Sequence, residues 1–403
     1  MSRIRTLGLR RIYDSRGRET VEATVRTDSG IEGVASAPSG ASTGSHEVQA
    51  FPAGGVSAAL EERSRIQDAL ASIAVSDQDV VDAALHAVDG TPNFARIGGN
   101  TATAISMASA IARAKFERRA LWEVVRRPGS ATGAFPAIVG NCLNGGRHAI
   151  GGPDIQEFLA FAPSERPEVS IRAAIAVHQA VGAELRARRP KEALGRGDEG
   201  GWVAAIPNLE ALGLLRDACR SVSQELGSPV SPGLDLAASE FYHDGRYRYK
   251  EQTLDAEGQV GFVAHLVDEF GLKYVEDPFD QEDFGSFARL NELVGAKALV
   301  VGDDIYTTSL ERLRRGVEER SSNAVLIKVN QVGTLSDTLA TVDYARAHGL
   351  ATVTSHRSGE VPEGWLAHLA VGFGSVGLKC GLLGGERVAK LNELLRLAAA
   401  TGA

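Results

Sequence analysis

The sequence predicts an α/β protein in two parts: an N-terminal α+β segment, then a (β/α)₈ barrel. Three observations predict it. The first stretch alternates strand and helix signals without a regular rhythm. From about residue 134 short apolar runs alternate with amphipathic helices, and the span suits a barrel of about 250 residues. Charged groups then stand at the ends of those runs. A doubly wound sheet is the alternative architecture.

In the first part, "TVEATVRTDSG" alternates Val21, Ala23 and Val25 and ends in Asp28-Ser29-Gly30, a strand with a turn signal. "IEGVASAPSGASTGS" begins as a strand and becomes a loop of small residues, which alone reads as a flexible linker. Helical segments follow near 56–72, 77–89 and 101–118. The later runs are "FPAIVGNCL", "IQEFLAFA", "SPGLDLA", "KYVEDP", "ALVVGDD", "AVLIKVN", "ATVTSHR" and "SVGLKCG". Between two of them Leu335, Leu339 and Val342 recur at helical spacing, and Gly349 supplies the stop. Apart from that loop, no linker, low-complexity tract or internal repeat is visible.

Composition excludes several classes. The 403-residue chain is 43% hydrophobic and 23% charged, with a net charge of −8. That balance suits a globular protein and argues against a nucleic-acid or anionic-membrane surface. Cys142, Cys219 and Cys380 are far apart and odd in number, so the expected compartment is a reducing cytoplasm. No apolar run reaches the roughly 20 residues of a membrane span, and the basic start lacks the apolar core of a signal peptide. Only eight of the 43 cations are lysines. Where arginine is the habitual cation, a lysine marks a place that needs a group able to lose its proton.

The strand ends carry the chemistry. Asp235 follows "SPGL", Glu276 and Asp277 follow "KYV", Asp303 and Asp304 follow "ALVVG", Lys328 follows "AVLI", His356 follows "ATVTS" and Lys379 follows "SVGL". In a parallel barrel these ends converge on the catalytic face. A single such residue is more often a solvated loop group or a structural ion pair, so the argument rests on the set. Asp235, Glu276 and Asp303 offer hard oxygen donors suited to Mg²⁺, and no Cys/His zinc pattern competes. Neighbouring positive charge, including Lys379, is expected to lower the Lys328 pKa and make it a general base. The set is similar to known arrangements for proton abstraction next to a carboxylate, with metal ions stabilising the enediolate. His86, His178, His265 and His368 fall on predicted helices and read as structural or surface groups.

Longer motifs carry a resemblance. "YDSRGRETVEA", "PSGASTGSHE", "LDLAASEFY", "VEDPFDQEDF", "VGDDIYTT", "LIKVNQVGTLSDT", "SHRSGE" and "GERVAKLNELLR" occur in order from about residue 8 to 397. In them the chain resembles the enolases, the phosphopyruvate hydratases of glycolysis. The resemblance implies an α+β cap over residues 1–125 and a barrel over 134–403 that opens ββαα. It implies that Asp235, Glu276 and Asp303 bind a first Mg²⁺, and that Ser42 joins a second ion arriving with substrate. Lys328 is then the base toward 2-phosphoglycerate, Glu199 the general acid with Glu157 beside it, and Lys379 the partner of the substrate carboxylate. Arg357 and Ser358 hold phosphate, while His148, Gln156 and His356 complete the site. The expected partners are a small phosphorylated carboxylate and a second copy of the chain, with no nucleic acid or membrane.

The chain also departs from the pattern. Arg18-Glu19 replaces Asn-Pro after "DSRG", "GGRHAIGGPDIQEF" replaces "GGSHAGNKLAMQEF", and "CGLL" follows Lys379. Arg147 is thereby added beside His148, where it would suit extra negative charge on a substrate. The alternative function is accordingly a specialised relative in phosphonate biosynthesis, similar to carboxyphosphonoenolpyruvate synthase. A non-catalytic scaffold is a further alternative, against which the intact site residues stand.

Overall fold

The computed structural model describes residues 1–40, 44–128 and 134–402. The cap begins with an antiparallel sheet of β1 (Ile4–Tyr13), β2 (Glu19–Thr27) and β3 (Glu32–Ser36), in that order. Strand β1 is not evident from the sequence, because most of its residues are at least partly exposed and Arg10 and Arg11 interrupt its alternation. The helical stretch expected at 56–72 is two helices, α1 (Gly55–Glu61) and α2 (Arg63–Leu70), separated at Glu62. Then come α3 (Gln78–Asp89), α4 (Gly99–Glu117) and the short α5 (Leu121–Val125).

Helix α4 is buried along most of its length, and small residues such as Ala102, Ala104, Ala108 and Ala110 let other elements approach closely. On one side it packs on the sheet at Gly33, where a Cβ would lie 2.0 Å from the Ala108 carbonyl oxygen. Toward the barrel, the Thr103 hydroxyl donates to the Gly333 carbonyl at 3.0 Å, and the Leu335 N–H donates to Ser106 at 3.0 Å.

All eight apolar runs are barrel strands: β4 (Ala137–Asn144), β5 (Glu157–Ala162), β6 (Ser231–Asp235), β7 (Tyr274–Glu276), β8 (Leu299–Gly302), β9 (Ala324–Ile327), β10 (Ala351–Ser355) and β11 (Gly377–Gly381). Strand β11 pairs with β4 and closes the ring, which leaves no free edge. Strand β5 runs antiparallel to both β4 and β6. A hairpin suffices to join β4 to β5, whereas a parallel pair would need a crossover. Helices α6 (Pro167–Arg188) and α7 (Asn208–Leu226) then follow together, so the barrel opens ββαα. The remaining helices are α8 (Ala256–Phe270), α9 (Phe284–Val294), α10 (Leu310–Glu319), α11 (Leu335–Ala347), α12 (Trp365–Phe373) and α13 (Gly385–Thr401).

Local chemistry sets the helix starts. Asp255, Asp283, Ser309 and Thr334 each cap the next helix by accepting a backbone N–H. Side chains in the lumen form a core of their own, in which Val139, Leu159, Tyr274, Val301, Ala324, Leu326 and Val353 are fully buried. A larger apolar core lies between the strands and helices and extends into the cap. Among the described residues, no helix is long and apolar enough to cross a membrane.

Candidate active site

Strand β9 ends at Ile327, so Lys328 stands just past the apolar run at the barrel mouth. The neighbouring strands deliver the other groups in register. Asp235 pairs with Glu276 across β6 and β7, and Ser355 pairs with Lys379 across β10 and β11. Glu157 is the first residue of the reversed strand β5 and pairs with Asp235. Reversal is what brings a strand's beginning to the face where the others end.

Two ammonium groups sit among these carboxyls. Lys379 Nζ lies 2.8 Å from Asp235 Oδ2, 2.7 Å from Glu276 Oε1 and 3.3 Å from Glu157 Oε2. Lys328 donates to Asp303 Oδ2, while Gln331 donates to Asp303 Oδ1 at 2.8 Å. The Tyr274 hydroxyl donates to Glu276 Oε2 at 2.5 Å. Asp277 has a backbone φ of +40° and accepts the N–H groups of Asp303 and Asp304 at 3.0 and 2.7 Å. Opposite them His356 Nε2 lies 2.9 Å from Glu199 Oε2, and Asn141 donates to the same oxygen at 3.3 Å.

Between these groups lies a cavity of about 20 Å³, room for a single water. Of the described residues to which the resemblance gives a role, all line it except Glu276. Glu276 reaches it through Lys379, and Ser42 lies outside the described residues. Gln156 Oε1 and Asn141 Oδ1 are buried at this mouth with no hydrogen-bond partner among the described residues. Unsatisfied buried polar atoms on this scale mark a place where a ligand completes the bonding. Arg357 also lines a wider cavity of about 510 Å³ between cap and barrel.

Burial and charge set the protonation states. Burial pushes the Glu276 carboxyl well up, with repulsion from Asp235 adding to it. Burial also raises Glu157, as does the charge on Glu199. For Glu199 burial opposes ionisation, but His356 and His148 outweigh it and hold the carboxyl well below its ordinary range. Burial brings His356 down to about 4, so the ring is neutral at pH 7. Lys328 departs from expectation. Burial pushes it down, and Arg357 and Lys379 do the same, yet Asp303 and Glu276 carry its pKa up overall. The lowering effect of Lys379 is present but is outweighed by the carboxylate in contact with the ammonium.

Several participants are not legible from strand ends alone. Tyr274 lies inside a strand and reads as core. Gln331 and Asn330 follow Lys328 in "KVNQ". Arg147 forms an ion pair with Glu240 at 2.5 Å and does not line the small cavity. The four histidines expected on helices lie there: His86 is paired with Asp337, His178 with the Gly200 carbonyl, His265 with Glu269 and His368 with Glu393. All three cysteines are buried and free.

Among the described residues, two groupings could hold a metal ion. One is His148, Glu157 and Glu199; the other is Asp277, Asp303 and Asp304. In each, one donor atom per residue lies within 4.8 Å of the others.

The comparisons agree with this geometry. Residues 4–125 match the family described as "Enolase, N-terminal domain", and residues 133–403 match "Enolase, C-terminal TIM barrel domain". The enolase of Picrophilus torridus is 42% identical over 98% of both chains. That of Natronomonas pharaonis is 44% identical over 99% of this chain and 100% of its own. That of Haloquadratum walsbyi is 45% identical over 99% of both. With the barrel, the strand-end residues and these likenesses in agreement, the chain belongs to the enolase family.

Proposed function

We propose that the chain is a hydro-lyase that converts 2-phosphoglycerate to phosphoenolpyruvate with Mg²⁺. The observation that carries this reading is Lys328 facing the Glu157–Glu199–His356 group across one small cavity. Lys328 takes the C2 proton, the C–H electrons become the new double bond, and the C3 hydroxyl leaves as water with a proton from Glu199. Glu199 rests ionised, so the proton it delivers has to reach it from Glu157, whose carboxyl burial and the charge on Glu199 raise above its ordinary range. Lys328 must give up its pairing with Asp303 to act as a base. Lys379 meets the substrate carboxylate, Arg357 and Ser358 hold the phosphate, and His148, Gln156 and His356 complete the pocket.

Asp235, Glu276 and Asp303 would hold the first Mg²⁺, and Ser42 would join a second that comes with substrate. The donor set fits, because all its donors are hard oxygens and they already converge on two ammonium groups. Of the two compact groupings, one includes a histidine, a donor less suited to Mg²⁺, and in the other Asp277 is occupied by two backbone N–H groups. Bound metal would supply neutralising charge at the substrate carboxylate as the C2 proton leaves. The same reading takes residues 1–125 as cap and 134–403 as catalytic barrel, in a cytoplasmic homodimer. The alternative substrate class depends on Arg147, whose charge is met by Glu240.

The test is dehydration of 2-phosphoglycerate by purified protein with Mg²⁺, followed by ultraviolet absorbance of the product. A kcat of about 10 s⁻¹, abolished in Lys328→Ala, is expected. No turnover by the wild type would overturn the substrate assignment.

A further inference from the structure

We propose that Arg387 is a positioning residue that fixes His356 in the Nε2-protonated form and aims it at Glu199. The proposal rests on the enolase reading for its meaning, but its geometry stands on the hydrogen bonds alone.

Arg387 lies in the first turn of α13 and is fully buried. Its Nη1 donates to His356 Nδ1 at 2.7 Å and to the Arg357 carbonyl at 2.5 Å. Its Nη2 donates to the Ser358 carbonyl at 2.6 Å and to the Asp198 carbonyl at 3.1 Å. Among the described residues, the one carboxylate within ion-pair distance of it, on Glu386, lies 3.4 Å from Nε. A buried guanidinium would be expected to seek a carboxylate in a bidentate grip. This one points its Nη groups at a ring nitrogen and three carbonyls.

That choice determines the tautomer. A guanidinium has no lone pair and keeps its protons, so His356 Nδ1 has to accept. The Gly381 N–H approaches the same nitrogen at 3.3 Å, a longer and weaker contact that favours the same tautomer without fixing it alone. A proton on Nδ1 would meet two donors head on, which excludes both the other tautomer and the imidazolium. The ring proton is therefore on Nε2, which lies 2.9 Å from Glu199 Oε2, and the histidine donates to the carboxylate.

The carbonyl bonds fix both partners in place. Arg357 and Ser358 follow His356 directly, and Asp198 precedes Glu199, so one side chain fastens both ends of the His356–Glu199 bond. Gly381 allows the close approach this requires, since a Cβ there would lie 2.3 Å from the Glu199 carbonyl oxygen and 3.1 Å from Arg387 Cγ. A lysine at 387 keeps the charge but cannot span the four acceptors.

The test starts with the wild type. In ¹⁵N-histidine-labelled protein at pH 7, with the His356 signals assigned through a His356→Gln variant, Nδ1 should appear as the unprotonated nitrogen in long-range ¹H–¹⁵N correlations. A protonated Nδ1 overturns the proposal. Arg387→Lys should then lower kcat about 100-fold, the lower end of what acid–base groups contribute, with KM within about threefold, and should turn His356 into a tautomer mixture. Unchanged kcat, or lost activity with the tautomer intact, overturns it as well. If the lysine variant fails to fold, the wild-type spectrum still decides. An inactive wild type with the expected spectrum would instead sink the functional reading and leave the geometry standing.

Discussion

Both carboxylate oxygens of Glu47, in the cap, lie 3.0 Å from Nη2 of Arg357 at the barrel mouth. Asn330 accepts from Nη1 of the same guanidinium at 2.8 Å. The cap thus meets the barrel at the arginine assigned to the substrate phosphate. Both side chains are largely buried, and breaking a buried ion pair costs about 3 kcal/mol. Glu47→Ala should lower the urea midpoint accordingly at unchanged slope. A midpoint equal to that of the wild type would mean the pair adds nothing to the docking of cap on barrel.

The split of labour between base and acid can be read by isotope exchange. Lys328→Ala should abolish exchange of the substrate C2 proton with solvent deuterium. Glu157→Gln and Glu199→Gln should keep that exchange while slowing dehydration about 1000-fold, within the range for acid–base groups. Exchange surviving in Lys328→Ala would move the base elsewhere.

Tyr274 orients Glu276 from within the lumen. Partners of this kind are worth about tenfold or more in metal affinity. Tyr274→Phe keeps the ring packing and removes only the donor. Titration calorimetry should show Mg²⁺ binding about tenfold weaker with the melting temperature of the metal-free protein little changed. Equal affinity would reduce Tyr274 to a packing residue.

Glu360 and Lys390 form a buried pair at 2.6 Å behind the mouth. Burial opposes ionisation of Glu360, but Lys390 and Arg387 outweigh it, so the carboxyl titrates below its ordinary value of 4.5. A carboxyl depressed by folding contributes stability that is fully present above that value and is lost as pH falls through the folded one. Lys390→Met should lower stability at pH 7 and weaken its decline below pH 4.5. Parallel curves of denaturation midpoint against pH for the two proteins would show that the pair does not set the acid limb.

The barrel was legible because its strands are buried on both faces and read as continuous apolar runs, with polar groups only where each run leaves the core. Lys328 and Asp303 stood out for that reason. Strand β1 did not, since its arginines face outward and blur the alternation. The break between α1 and α2 at Glu62 left no proline or glycine to mark it. The raised pKa of Lys328 is not legible in the sequence, because it depends on contact with Asp303, which only the closed barrel creates. Arg387 was hidden for the same reason. It reads as one more basic residue on an amphipathic helix until its partners, far away in sequence, are brought around it.

Ring closure between β4 and β11 has a consequence for how the protein is born. Val139 pairs with Lys379, so the first barrel strand waits for the last. A ribosome releases chain from the N-terminus onward, and pairings between such distant segments form late. Until then β4 is an unprotected edge, and Glu157, Asp235 and Glu276 have no Lys379 among them. The nascent chain is therefore both sticky and catalytically silent, and a product terminated before Gly377 stays so. Such truncated chains should partition to chaperones and proteases, and the enzyme's chemistry switches on only with the last strand in place.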